Sequence, residues 1–129
     1  MIGAALLLIA AQAGPTVGNE AQARQALARQ GLSPAGVNVV INSVKRRQPQ
    51  TAALLNRLRQ AALAAKAAGS RRPVNVDAFD AALTAQQTAV AALARAQQSL
   101  LVEQLRASSP ADRAVLLKGY AARPAQRGR

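Results

Sequence analysis

The sequence predicts an all-α protein: a long, bent antiparallel helical hairpin with short flanking helices. Three observations lead there. A Ser-Pro helix start occurs twice, at Leu32-Ser33-Pro34-Ala35 and at Ser108-Ser109-Pro110-Ala111-Asp112. Between these starts lie two Ala-rich stretches whose apolar residues recur at spacings of three and four. Midway, Gly69-Ser70-Arg71-Arg72-Pro73 supplies turn formers and nothing that favours a helix.

The elements follow in order. Met1 to Ala13 is apolar but shorter than the ~20 residues a bilayer span needs. It reads as the core of an export signal, with Ala11-Gln12-Ala13 as a peptidase site before the helix-breaking Gly14-Pro15, so cleavage is expected after Ala13. No Lys or Arg precedes the apolar run, which leaves open an upstream start or a buried N-terminal helix. The expected organisation is a signal or short apolar segment over 1–13, a helical-hairpin domain over 14–122 and a basic disordered tail over 123–129.

Glu20 to Gln30 forms a weak helix that Gly31 closes. Ser33 is the N-cap of the next helix, and Pro34 takes its first position, where a missing N–H costs nothing. Val37, Val40, Ile41 and Val44 share a face. Pro49 predicts a kink or short break, with Thr51 recapping the chain and Leu54, Leu58, Ala62 and Ala65 resuming the stripe. After the turn, Asp77 caps a second long helix to Arg106, with Asp80 completing an approximate capping box. Its stripe is Phe79, Leu83, Val90, Leu93, Leu100 and Leu101. The expected hairpin seam is therefore Leu54 and Leu58 against Phe79, Leu83, Val90 and Leu93. Gln86 and Gln97 interrupt it, either fixing register or lying at a wet edge. Ser109 and Asp112 form a capping box around Pro110, starting a short helix to Tyr120.

Composition narrows the function. Half the chain is apolar, yet it holds one Tyr, one Phe and no Trp, and alanine dominates, so a single hairpin buries little area per residue and a homodimer or other partner is expected. The net charge is +12, from 17 basic and 5 acidic residues, which calls for an acidic partner. No His or Cys is present and the one Met is the first residue, so no metal and no cofactor are expected. No base stands ready to activate a Ser or Thr, and of the carboxylates Glu20, Asp77, Asp80, Glu103 and Asp112, three belong to helix starts, so an enzyme is not expected. No glycine-rich phosphate loop occurs.

The bases do concentrate. Arg46 and Arg47 with Lys45, then Arg57 and Arg59, then Arg71 and Arg72 at the tip form the candidate site for an acidic partner, with fork-shaped donors suited to carboxylates or phosphates. The plainer alternative is a solvated face that keeps an Ala-rich helix soluble.

Leu32-Ser33-Pro34 and Ser109-Pro110-Ala111-Asp112-Arg113, with Val76-Asp77-Ala78-Phe79-Asp80 opening the second arm, resemble the periplasmic heavy-metal-resistance and metal-sensor family, related to the envelope-stress chaperones with Leu-Thr-x-x-Gln repeats. The likeness covers about Gly31 to Arg123. It implies long bent hairpins in intertwined dimers and a periplasmic helper, free or membrane-tethered. Such a helper restrains a membrane-bound sensor kinase or anti-sigma-type protein, or shelters unfolded periplasmic proteins. The family's metal ligands are not matched here, so no metal is carried over. The alternative is a basic helical protein that binds anionic membranes or nucleic acid through charge alone; export would keep it from nucleic acid.

Overall fold

The computed structural model describes residues 17–127, and these are helical: α1 (Val17–Arg29), α2 (Pro34–Ser70), α3 (Val76–Arg106) and α4 (Pro110–Arg127). The proposed signal and its cleavage point at Ala13 lie outside the described residues. By its packing the chain divides into two compact units, one of the described residues up to 48 together with those from 100 onward, and one of residues 49–99.

In the first unit, α1 ends in a Schellman motif. Gly31 adopts φ 104°, a left-handed geometry open to glycine, while the Leu32 N–H donates to Leu27 O at 3.4 Å and the Gly31 N–H to Ala28 O at 3.1 Å. This turn delivers Leu27 and Leu32 into one core with Ala23, Val37, Val40, Ile41 and Val44, against which Leu100, Val115 and Leu116 pack. The weak first helix thus has its partner in the start of α2. Two polar links reinforce that pairing: Lys45 Nζ meets Glu20 Oε1 at 2.8 Å, and Arg24 Nη1 donates to Asn38 Oδ1 at 2.7 Å.

One polar pair is sunk in this unit. Gln104 is 1% exposed; its Nε2 donates to Ser43 Oγ at 3.1 Å, and Ser43 Oγ donates to Val40 O at 2.9 Å. The chain satisfies both side chains internally, as burial demands.

The second unit consists of the later part of α2, the turn at 71–75 and the earlier part of α3. Its best-buried residues are small: Ala65 and Ala89, at 6% and 2% exposure. A Cβ on Gly69 would stand 3.0 Å from Phe79 Cε2, which places the two ends of the turn in close approach.

Three expectations are corrected. The short break is absent, since α2 continues as one helix through Pro49, and Thr51 lies inside it instead of recapping the chain. Pro49 and Gln50 are exposed, so the proline ring needs no space in a core and the one missing N–H leaves its gap on the surface. Asp77 is not the cap of α3: the Ala78 N–H donates to Asn75 Oδ1 at 3.1 Å, and Asp77 sits within the first turn, where its charge still faces the positive helix end. α4 continues past Pro124 to Arg127, carried by good helix formers, where a disordered tail was expected from residue 123.

Candidate binding surface

The basic residues divide by unit. In the first, Arg47 Nε lies 2.7 Å from Glu103 Oε2, and Arg46 pairs with Glu103 Oε1 through its own guanidinium. Glu20 takes Lys45 and, at 3.2 Å, Arg24. The Lys45 ammonium, foremost among these contacts, holds the Glu20 carboxyl below its ordinary value. Arg46 and Arg47, expected to reach for an acidic partner, are instead engaged by an acid of the same chain. The reason is economy of charge: α3 brings one of only five acidic residues beside them.

In the second unit the bases are left to solvent. Arg57, Arg59 and Lys66 are exposed on α2, and Arg71 is exposed in the turn. Among the described residues none of these four enters an ion pair with a residue of the chain. Arg72 folds back, its Nη1 donating to Gly69 O at 3.0 Å and Arg71 O at 2.9 Å, and so serves the C-terminal end of α2.

The expected seam is also redrawn. Leu54, Leu58, Phe79 and Leu93 are half-buried, but Leu83 and Val90 are 37% and 50% exposed. The buried face of α3 is centred closer to Ala82, Gln86 and Ala89, about a quarter turn from Leu83 and Val90, because alanines allow close helix approach there. Val76, 71% exposed, falls seven residues before Leu83, which falls seven before Val90. The result is an open apolar row beside the packed face, on the unit that also keeps its bases unpaired.

The cap residues are placed as follows. Ser33 Oγ accepts from the Gly36 N–H at 3.1 Å, and Ser109 Oγ accepts from the Asp112 N–H at 3.2 Å. The Asp112 carboxylate reaches to another helix start: it accepts from the Ser33 N–H at 2.9 Å and the Ser33 hydroxyl at 2.6 Å. The Ser33 hydroxyl first, and its N–H next, hold the Asp112 carboxyl below the ordinary carboxylate value.

Residues that sequence reasoning passed over are Lys66, Glu103, Ser43 and Gln104. Lys66 carried a signal, lying seven residues after Arg59 and so on the same helix face. Gln104 carried one too, falling four residues after Leu100 on the apolar stripe.

Among the described residues no group of three or more His, Cys, Asp or Glu is placed to hold a metal ion, and no helix is long and apolar enough to cross a membrane. No protein-family model, curated protein or solved structure matches the chain.

Proposed function

We propose that this chain is an exported, non-catalytic binding protein that folds as a helical hairpin and engages an acidic or unfolded protein partner, as a regulatory subunit or chaperone-like adaptor. The reading keeps the expected periplasmic location and the resemblance to heavy-metal-resistance proteins, without a metal of its own. A homodimer belongs to it as well, since a seam centred on alanines buries little apolar area per protomer.

One observation carries the proposal: the second unit leaves unpaired arginines and lysine beside an open apolar row, while the first unit neutralises its own cluster with Glu20 and Glu103. A face that is both apolar and cationic, on a unit whose bases outnumber its two acids Asp77 and Asp80, suits an acidic surface with apolar residues of its own. The short turn at 71–75 and the approach of Gly69 to Phe79 support the hairpin.

The test is fractionation of the full chain with a C-terminal tag, followed by N-terminal sequencing and sedimentation of the purified mature protein. Recovery in the periplasm with Gly14 first, and a dimer in solution, is the expected result. A protein recovered on the chromosome, binding duplex DNA with the steep salt dependence of phosphate neutralisation, overturns the reading.

A further inference from the structure

We propose that the flank of the second unit formed by Leu83 and Val90 of α3 with Arg59 and Lys66 of α2 is a docking groove for an acidic amphipathic helix of another protein. This rests on the hairpin and acidic-partner reading above and specifies its surface.

The geometry follows from helical phase. Leu83 and Val90 each lie four residues beyond half-buried Phe79 and Gln86, which puts them on one shoulder of the packed face of α3. Arg59 and Lys66 each lie four residues beyond half-buried Leu55 and Ala62, on one shoulder of α2. In an antiparallel pair of right-handed helices these two shoulders fall on the same side of the pair. The approach of Gly69 to Phe79 sets the level, so that Lys66 stands beside Leu83 and Arg59 beside Val90. Each pair repeats after seven residues, about 10 Å along a helix.

A surface with one apolar residue and one cation per two turns is the complement of a helix carrying apolar side chains along a heptad seam and carboxylates at the flanking positions. Charge decides the occupant. The second unit holds six bases, Arg57, Arg59, Lys66, Arg71, Arg72 and Arg95, against two acids, Asp77 and Asp80. A second copy seated on this flank would bring Arg59 and Lys66 against their own counterparts, and like charges across an interface are costly. A lipid surface would call for the larger apolar face and aromatic anchors of an interfacial helix, and here the row is aliphatic and narrow.

The experiment uses the full chain and a fluorescein-labelled heptad peptide with Leu along its seam and Glu at the flanking positions. The same peptide with Lys in place of Glu is the comparison, and binding is read by fluorescence anisotropy. The acidic peptide is expected to bind, more weakly as salt rises, and the basic one not to. Arg59→Glu with Lys66→Glu should weaken the acidic peptide at least about tenfold and create binding of the basic peptide. Leu83→Ser with Val90→Ser should abolish both, with helicity retained and the melting temperature lowered by only a few degrees because these side chains are partly exposed. Acidic-peptide binding that ignores both double variants and is lost on Arg71→Glu overturns this groove while leaving an acidic partner in place. Binding of neither peptide, with duplex DNA or phosphatidylglycerol vesicles bound instead, overturns the groove and the function together.

Discussion

Asp112, in the first turn of α4, accepts two hydrogen bonds from Ser33, the cap of α2, across 79 residues of sequence. The Ser33 hydroxyl meanwhile accepts from the Gly36 N–H, and the Ser109 hydroxyl accepts from the N–H of Asp112 itself. Two helix starts are thus tied through one residue: the Asp112 carboxylate holds the cap of α2, its backbone N–H is capped by Ser109, and its charge lies near the positive ends of both helices. Ser33→Ala removes the α2 cap and one of the two bonds to Asp112, and a loss of about 1–2 kcal/mol is expected in urea melts. Ser109→Ala, which removes the α4 cap alone, should cost about 1 kcal/mol. Equal and negligible losses for both would show that the caps do not order these helices.

Acid should undo this clasp. Hydrogen bonds from Ser33 hold the Asp112 carboxyl below its ordinary value, and Lys45 does the same for Glu20. The folded chain therefore binds these two protons less readily than the unfolded chain does. Their stabilisation is complete above the ordinary carboxylate range and is lost as pH falls through it and below. Melting temperature should be level near neutrality and fall in acid. Asp112→Asn should melt several degrees lower at neutral pH, and its deficit should shrink as acid protonates the parent. Parallel curves down to the lowest pH would remove Asp112 from the account.

Gly36 sits where a Cβ would stand 2.5 Å from Asp112 Oδ2. In an open helix, Gly→Ala stabilises by up to about 1 kcal/mol. Here the carboxylate is held by Ser33 and has little room to give, so Gly36→Ala should destabilise the chain. In an Asp112→Ala background the obstruction is gone, and the same substitution should become stabilising. A double-mutant cycle on Gly36 and Asp112 measures this reversal of sign, and additive effects would refute the close approach.

Local chemistry made the starts of α2 and α4 legible, because Ser followed by Pro is a cap and first-turn signal at both Ser33 and Ser109, strengthened at Ser109 by an acid three residues on. The partnership of Ser33 with Asp112, and of Glu103 with Arg46 and Arg47, joins distant positions and leaves no local trace. Pro49 misled because the sequence does not show that its side of α2 faces solvent. Asn75 follows the turn formers so closely that the sequence does not set it apart as the residue whose side chain closes α3. The seam was drawn through Leu83 and Val90 because large residues mark a stripe, whereas alanines occur on every face of these helices and cannot phase them. Ala65 lies on the stripe the sequence predicts, whereas the burial of Ala89 emerges only in three dimensions.

The bond between Gln104 and Ser43 sets a test of buried polarity. Gln104 Nε2 donates to Ser43 Oγ in a site closed to solvent. Ser43→Ala strands that donor and should cost about 1–3 kcal/mol, the usual loss when a buried group goes unpaired. Adding Gln104→Leu removes the stranded amide and should recover most of the loss, since an apolar pair of similar shape is nearly neutral. If the double variant is the sum of its singles in chemical denaturation, the two side chains are not coupled.

In the second unit, size and exposure predict opposite responses at neighbouring positions of α3. Ala89, 2% exposed, has no room for a longer side chain, and Ala89→Leu should force its neighbours apart at about 1–3 kcal/mol. Leu83, 37% exposed, loses little by truncation, and Leu83→Ala should cost under about 1 kcal/mol, well short of the ~2–5 kcal/mol typical of a core leucine. Thermal melts of the two variants side by side give the answer. The opposite ranking, a severe loss at Leu83 and tolerance at Ala89, would restore the leucine seam and close the apolar row on which partner docking depends.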